Sequence, residues 1–254
     1  MSAGHLAIVG LGPGPHDLMT FEAEAALRRA TDLVGYGPYV DRLSLAPGQI
    51  RHGSDNRVEI DRARHALDLA LGGARVAVVS GGDPGVFAMA AAVFEAIEQG
   101  DPRWRDLDIE VHPGISAMLA VAARLGAPLG HDFAVISLSD NLKPWAAIAK
   151  RLTAAAEGDF VMAFYNPASK ARPYLIHDVF ELLRGLKAPD TIVAFARAVS
   201  RPDEKIELTN LAEADPSIAD MSTLILVGSS ETRRIARGDG GYWVYSPRSY
   251  GIAR

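Results

Sequence analysis

Apolar residues along this chain fall into short continuous runs, separated by longer stretches in which they recur every three or four positions. The runs "HLAIVG", "DLVGY", "ARVAVVS" and "DIEVH" read as β-strands. "ARVAVVS" is a continuous apolar strand of the kind buried on both faces of a parallel sheet. Between these runs, "LMTFEAEAALRRA" reads as a helix with Thr20 as N-cap and Glu22 and Glu24 in its first turn. "EIDRARHALDLALGG" is a second helix, with Ile60, Ala63, Leu67 and Leu71 on one face and Gly72-Gly73 as its stop. "GVFAMAAAVFEAIEQ" and "ISAMLAVAARLG" are two more. "GAPLGHDF" reads as a linker, and a second series follows: "FAVISL", "PWAAIAKRLTAAAE", "DFVMAFY", "YLIHDVFELLRGL", "TIVAFARAV", "KIELTNL" and "STLILVG". Strands alternating with helices imply right-handed crossovers. The expected fold class is therefore α/β, as two α/β domains with mainly parallel sheets. They cover residues 1–122 and 123–254, and the tail "GYWVYSPRSYGIAR" falls outside the pattern.

Composition narrows the function. A chain of 254 residues can bury a sizeable core, and 48% apolar with 22% charged residues is ordinary for a soluble enzyme. The net charge of −5 argues against a nucleic-acid surface. The absence of cysteine removes disulfides, thiolate catalysis and cysteine-based metal sites. The opening "MSAGHLAIVG" does not read as a signal peptide, and no apolar run is long enough to span a bilayer, so a cytoplasmic protein is expected. None of the seven histidines is spaced i, i+4 with another on a helix, so no dedicated metal site is expected.

The chemistry concentrates in turns that follow strands. "GLGPGPHD" after the first strand lacks the Lys-Ser/Thr of a P-loop. It also departs from the dinucleotide fingerprint, because Gly10 and Gly12 fit but position 15 is proline. "SGGDPG" has the form of an N-cap, Asp83, followed by a first-turn proline, with two glycines that let a ligand approach the backbone. "HPGISA" and "FYNPAS" repeat the strand-turn-helix design. Ligands of open parallel sheets bind beyond the carboxyl ends of the strands, so such turns together predict one crevice.

The stretches "VGLGPGPHDLMT", "SGGDPGVF", "PGISA" and "YNPASKAR" occur in the order and spacing of the tetrapyrrole (precorrin) methyltransferases, and the chain resembles that family over essentially its whole length. "VGYGPYVDRL", "YNPASKAR" and "YSPRSYG" look most like the branch that methylates carbon 17 of precorrin-3B and contracts the macrocycle to precorrin-4 in cobalamin biosynthesis. The resemblance implies the tetrapyrrole methylase fold, a ligand cleft between two domains, a homodimer, and S-adenosyl-L-methionine as methyl donor with S-adenosyl-L-homocysteine as product. It carries cofactor contacts onto Gly81, Gly82, Asp83, Val86, Phe87, Ser116, Ala117, Asn166, Ala194, Ser222 and Thr223. It places Gly12, Pro13 and Gly14 on the substrate side. The substrate is a precorrin-type tetrapyrrole bearing acetate and propionate groups, for which Lys170, Arg172 and Arg248 are candidate partners.

Methyl transfer from a sulfonium needs mainly positioning, which suits the lack of a Ser-His-Asp set. Ring contraction needs proton transfers, for which Tyr36, Tyr39, Lys143 and His112 are candidates. Each also has a plain structural reading: packing or turn residues for the tyrosines, a solvated helix-start charge for Lys143, a strand end for His112. Three rivals stand beside this reading: methylation at another position of a precorrin or of uroporphyrinogen III, a tetrapyrrole-binding protein without turnover, and a nucleotide-binding module.

Overall fold

The computed structural model of the chain describes residues 4–55, 58–141, 143–168 and 174–249. Two compact units are present, Met1–Ser116 and Ala117–Arg254.

The first unit runs through β1 (His5–Gly10), α1 (Phe21–Arg29), β2 (Asp32–Tyr36), the single turn α2 (Gly37–Val40), β3 (Ile50–Ser54), α3 (Glu59–Leu71), β4 (Arg75–Ser80), α4 (Met89–Gln99) and β5 (Asp108–His112). Its five strands form one sheet in the order β3-β2-β4-β1-β5, and every pairing is parallel. Strand residues alternate between two cores. Leu6, Ile8, Val34, Val76 and Val78 pack under α3 and α4. Ala7, Val9, Leu33, Ala77 and Val79 pack under α1 and α2. Covering both faces is why β1 and β4 read as unbroken apolar runs.

Thr20 caps α1 as expected, its hydroxyl accepting the Ala23 N–H at 3.1 Å. The buried face of α3 is rotated from the expected stripe. It holds Arg62, Ala63, Ala66, Leu67 and Ala70, while Ile60 and Leu71 are only partly covered. The small alanines let α3 pack against α4 and β4, and an arginine enters the core face. Strand β3 carries no apolar alternation and is absent from the sequence reading. As an edge strand with Ile50, Arg51 and Gly53 exposed, it is held by its parallel pairing with β2.

The second unit runs through α5 (Ala117–Leu125), β6 (Gly126–Ala127), β7 (Phe133–Ser137), α6 (Trp145–Glu157), β8 (Val161–Tyr165), α7 (Leu175–Arg184), β9 (Ile192–Arg197), β10 (Lys205–Asn210), β11 (Thr223–Val227), β12 (Arg233–Ala236) and β13 (Tyr242–Tyr245). Its main sheet has the order β10-β9-β11-β8-β7. The α/β class holds here too, but "mainly parallel" does not. Only β7 and β8 pair in parallel, and β11 runs antiparallel to both of its neighbours, as β10 does to β9. The reason lies in the connections: α6 and α7 supply crossovers, whereas β9, β10 and β11 follow one another without an intervening α-helix. The core gathers Met162, Phe164, Phe195 and Ile225 of the sheet with Ile148, Leu152, Ile176 and Phe180 of the helices.

Two sequence readings change in this unit. The supposed linker contains β6, and the tail contains β13. These pair in parallel, Val244 with Gly126 and Tyr245 with Ala127, and β12 completes a three-stranded sheet. A two-residue strand is too short to show a period. The division between units falls at Ser116/Ala117 rather than after residue 122, because α5 packs on β6, β11 and β13.

Phe180 is fully buried and stacks on Phe195 at 5.7 Å between ring centroids. Phe180→Ala is expected to cost about 3–5 kcal/mol, read as a fall in the unfolding midpoint in urea.

Candidate functional site

Because all five strands of the first unit are parallel, Gly10, Tyr36, Ser54, Ser80 and His112 end at one side of its sheet. The turns that follow β1, β4 and β5 are welded together by backbone contacts. Gly12 and Gly82 exchange both hydrogen bonds, at 3.1 and 2.8 Å, and each has φ of +70°. A Cβ on Gly114 would lie 2.2 Å from the Gly82 oxygen, and one on Gly10 would lie 2.7 Å from that same oxygen. These glycines are required by close approach. Pro13 is buried and Gly14 partly so, and the Gly12–Gly82 bonds set the turn expected to meet substrate beside the turn expected to meet cofactor.

Asp83 is not a helix N-cap, since α4 begins only at Met89. Its carboxylate instead accepts the Gly85 N–H at 2.8 Å and the Gly114 N–H at 3.0 Å. It thus ties "SGGDPG" to "HPGISA". Residues Gly85 to Ala88 form an irregular segment in which Phe87 is half exposed at φ 53°, with Val86 just before it. Ser116 closes the unit, and its hydroxyl is buried with no hydrogen-bond partner among the described residues.

The tyrosine candidates join this group. Tyr39 packs on Gly81, where a Cβ would lie 2.9 Å from the ring. Tyr36 meets Tyr39 edge to face at 5.4 Å, and the Arg42 guanidinium covers Tyr39 at 5.3 Å. His112 is buried at the end of β5. Its Nδ1 lies 3.2 Å from Glu22 and its Nε2 3.2 Å from Glu110, but neither carboxylate sits in hydrogen-bonding alignment with the ring. A hydrogen bond from His5 holds Glu110 below the usual carboxylate range.

In the second unit the register gathers a comparable set. Ile225 of β11 faces Phe164 of β8, and Thr223 faces Arg197 of β9. Ser222 and Thr223 therefore share one sheet end with Asn166, which follows β8, and with Ser137, which ends β7. Asn166 has φ 54° and donates from Nδ2 to Ser137 Oγ at 3.0 Å. Ala117 starts α5, where the next residue, Met118, donates its N–H to the Tyr165 hydroxyl at 3.0 Å. Ala194 lies mid-strand, buried between Leu208 and Leu226.

Thr223 spends its hydroxyl locally, on Asp220 at 2.9 Å. Asp220 also accepts from the Ser222 N–H at 2.8 Å and from Arg197 Nε at 2.9 Å. Burial raises its pKa, but the hydrogen bonds from Thr223, Arg197 and Ser222 outweigh that and leave it below the usual value. A turn that the sequence reading ran into the strand "TIVAFARAV", which ends at Arg197, borders this group. Ala198 donates its N–H to the Ser222 oxygen at 3.0 Å, and Ala198 and Ser200 have φ of 49° and 65°. Glu204 braces that turn, accepting from the Ser200 N–H at 2.5 Å and from Arg124 Nε at 3.2 Å. Of five described non-glycine residues with positive φ, four (Phe87, Asn166, Ala198 and Ser200) lie in these loops. Strain of this kind persists where the surroundings over-determine it, and it concentrates at functional sites.

Lys143 precedes α6 and is partly buried; desolvation, then the charge of Arg151, lowers its pKa. Arg248 is exposed beyond β13. Lys170 and Arg172 lie outside the described residues. Among the described residues, no group of three or more His, Asp or Glu side chains could hold a metal ion.

A family profile described as Tetrapyrrole (Corrin/Porphyrin) Methylases matches residues 5–215. The chain belongs to this family. It is 55% identical over 247 residues to a "Precorrin-3B C(17)-methyltransferase" of Sinorhizobium sp., covering 97% of each chain. Its structure is similar to that of the methyltransferase CobJ, with TM-score 0.92 and 54% identity over 96% of this chain and 100% of that one. It is also similar to uroporphyrin-III C-methyltransferase from Thermus thermophilus complexed with S-adenosyl homocysteine, with TM-score 0.69 and 25% identity over 89% of this chain and 97% of that one.

Gly114→Ala forces a methyl into the Gly82 carbonyl, so it is expected to destabilise the first unit by about 1–3 kcal/mol, read by thermal unfolding. The lowered pKa of Asp220 gives a signed pH effect. Its contribution to stability is complete above the ordinary carboxylate range, near 4, and is lost as pH falls through the lower folded value. Asp220→Asn is expected to lose stability at neutral pH and to show a shallower fall between about pH 5 and pH 2 than the parent.

Proposed function

We propose that this chain is an S-adenosylmethionine-dependent C-methyltransferase of cobalamin biosynthesis that methylates carbon 17 of precorrin-3B with ring contraction to precorrin-4. The observation that carries the reading is the end-to-end match, at 55% identity, to a relative named for the C17 reaction.

The residues present suit the cofactor. The Ser116 hydroxyl is buried and has no partner among the described residues; leaving such a group unpaired costs about 1–3 kcal/mol, and a bound ligand with a polar atom there removes that cost. The first unit offers Gly81, Gly82, Val86, Phe87 and Ser116 as contacts, with Asp83 holding the turns that carry them. The second offers Ala117, Asn166, Ala194, Ser222 and Thr223. Backbone N–H and C=O groups at such turns can read a ligand without phosphate, so no P-loop lysine is needed. When bound, S-adenosylmethionine supplies an electrophilic methyl with a neutral leaving group, so the protein acts chiefly by alignment.

Ring contraction adds proton transfers. Tyr39, packed on Gly81, and Tyr36, edge to face with it, are the proposed donors or acceptors in the first unit. In the second unit Lys143 fits the same role, because a lowered pKa brings an ammonium closer to proton exchange near neutrality. His112 is a third candidate, facing two carboxylates. Gly12, Pro13 and Gly14 shape the substrate side, and Lys170, Arg172 and Arg248 are proposed partners for substrate carboxylates. A homodimer in the cytoplasm completes the reading. No helix among the described residues is long and apolar enough to cross a membrane.

Titration calorimetry with S-adenosylhomocysteine is expected to show binding that Asp83→Ala weakens about tenfold, ~1.4 kcal/mol. Incubation with precorrin-3B and labelled S-adenosylmethionine is expected to give a product whose new methyl lies on carbon 17 by NMR. A methyl elsewhere on the ring overturns the positional reading. Binding of both ligands without transfer supports a carrier.

A further inference from the structure

Arg62 is 4% exposed, yet its guanidinium meets only neutral acceptors. Nε donates to Ser54 Oγ at 2.8 Å, Nη1 to Met89 Sδ at 3.2 Å, and Nη2 to the Asp55 backbone oxygen. No ion pair within 4.0 Å joins it to a carboxylate among the described residues. Burial lowers its pKa from the usual guanidinium value, with Glu59, Asp55 and Tyr36 favouring the charge from farther off. The buried carboxylate of Asp32 is committed elsewhere. It takes a hydrogen bond from Thr31 Oγ1 at 2.7 Å and lies 2.8 Å from His52 Nε2. The other nitrogen of His52 meets His65 Nε2 at 3.1 Å. Asp61, 73% exposed at its side chain, lies 3.5 Å from Arg64. A buried arginine without an acid partner is rare, because desolvating the charge is costly unless it is compensated.

Arg62 lines a cavity of about 360 Å³ together with Val34, His52, Gly53, Ser54, Val58, Asp61 and His65. Three of its five N–H groups are used, leaving one on each terminal nitrogen. That pair suits the two oxygens of a carboxylate. The cavity lies at the loop-bearing end of the sheet, where β3 stops at Ser54 and α3 begins. Tyr36 is an electrostatic neighbour of Arg62, packs on Tyr39, and through it reaches Gly81. The volume is at the low end for a small-ligand pocket and suits an arm of a ligand rather than a macrocycle.

We propose that this cavity is a carboxylate subsite in which Arg62 receives one acetate or propionate arm of the tetrapyrrole, fixing the rotation of the macrocycle about its own axis. The proposal rests on the reading above that the substrate is a polycarboxylated tetrapyrrole. Arg62 is then a specificity-determining residue: which arm enters decides which ring carbon faces the methyl donor.

The test uses the full chain and uroporphyrin III, a stable polycarboxylate macrocycle, titrated by fluorescence. Arg62→Met keeps the volume and removes the charge. It is expected to weaken uroporphyrin binding about 10- to 100-fold, to leave S-adenosylhomocysteine binding unchanged, and not to lower the melting temperature. Arg62→Lys restores part of the affinity. Ser54→Asp supplies an internal carboxylate to the guanidinium, and is expected to raise the melting temperature while weakening uroporphyrin binding to a similar degree. The subsite is overturned if uroporphyrin binds folded Arg62→Met as it binds the parent or, should that variant not fold, if it binds Ser54→Asp undiminished. It is also overturned if the two ligands and the melting temperature all fall together. A parent protein that binds S-adenosylhomocysteine but no uroporphyrin overturns the tetrapyrrole reading, and the subsite with it.

Discussion

The contact of three backbone turns at one end of the first sheet is the constraint on which the rest depends. Gly10, Gly82 and Gly114 approach so closely that no side chain fits between them. Five parallel strands bring their carboxyl ends to one side, and glycine lets the turns beyond them touch. Asp83 completes the joint by accepting backbone N–H groups from its own turn and from the next. A carboxylate given to two amides is a rigid tie, and it positions Phe87 in a conformation that most residues avoid. The motif that invites a phosphate or cofactor reading is therefore first a piece of construction.

The second unit reaches a similar end by different means. Its sheet is mostly antiparallel, so register rather than direction collects Ser137, Asn166 and Thr223 at one side. Its ties are again hydrogen bonds to carboxylates: Asp220 accepts from Ser222 and Thr223, and Glu204 accepts from the strained turn at Ser200. Small residues on one face, Ala163, Ala194 and Ala196, are buried without bulk. Rigid anchoring of loops by buried or partly buried carboxylates recurs in both units, although the topologies differ.

Charge placement divides the polar residues into two kinds. Asp83, Asp220 and Glu204 have their hydrogen bonds satisfied within the chain and serve the scaffold. Among the described residues Ser116 and Arg62 do not: one hydroxyl has no hydrogen-bond partner, and one cation has no carboxylate within ion-pair distance. A folded chain tolerates few such groups, and the two proposals above, a cofactor contact at Ser116 and a carboxylate subsite at Arg62, rest on them.

Much of this was legible in the sequence. The apolar runs and their helical neighbours announced an α/β chain because burial on both faces leaves no polar alternation. The order of "SGGDPG", "PGISA" and "YNPASKAR" pointed to the family. The amino-acid order could not show partners distant in the chain. Strand β3 has no apolar signal and exists by pairing with β2. The two residues of β6 become a strand only against β13. Asp83 has the local form of a helix cap, and its true partner, Gly114, lies thirty-one residues away. Arg62 interrupts an otherwise small and apolar face, and a lone charge at such a position reads as solvated until packing buries it. Local preference and periodicity decide which elements form; tertiary structure decides which polar groups those elements leave satisfied and which they leave open, because that depends on contacts the chain makes only once it is folded.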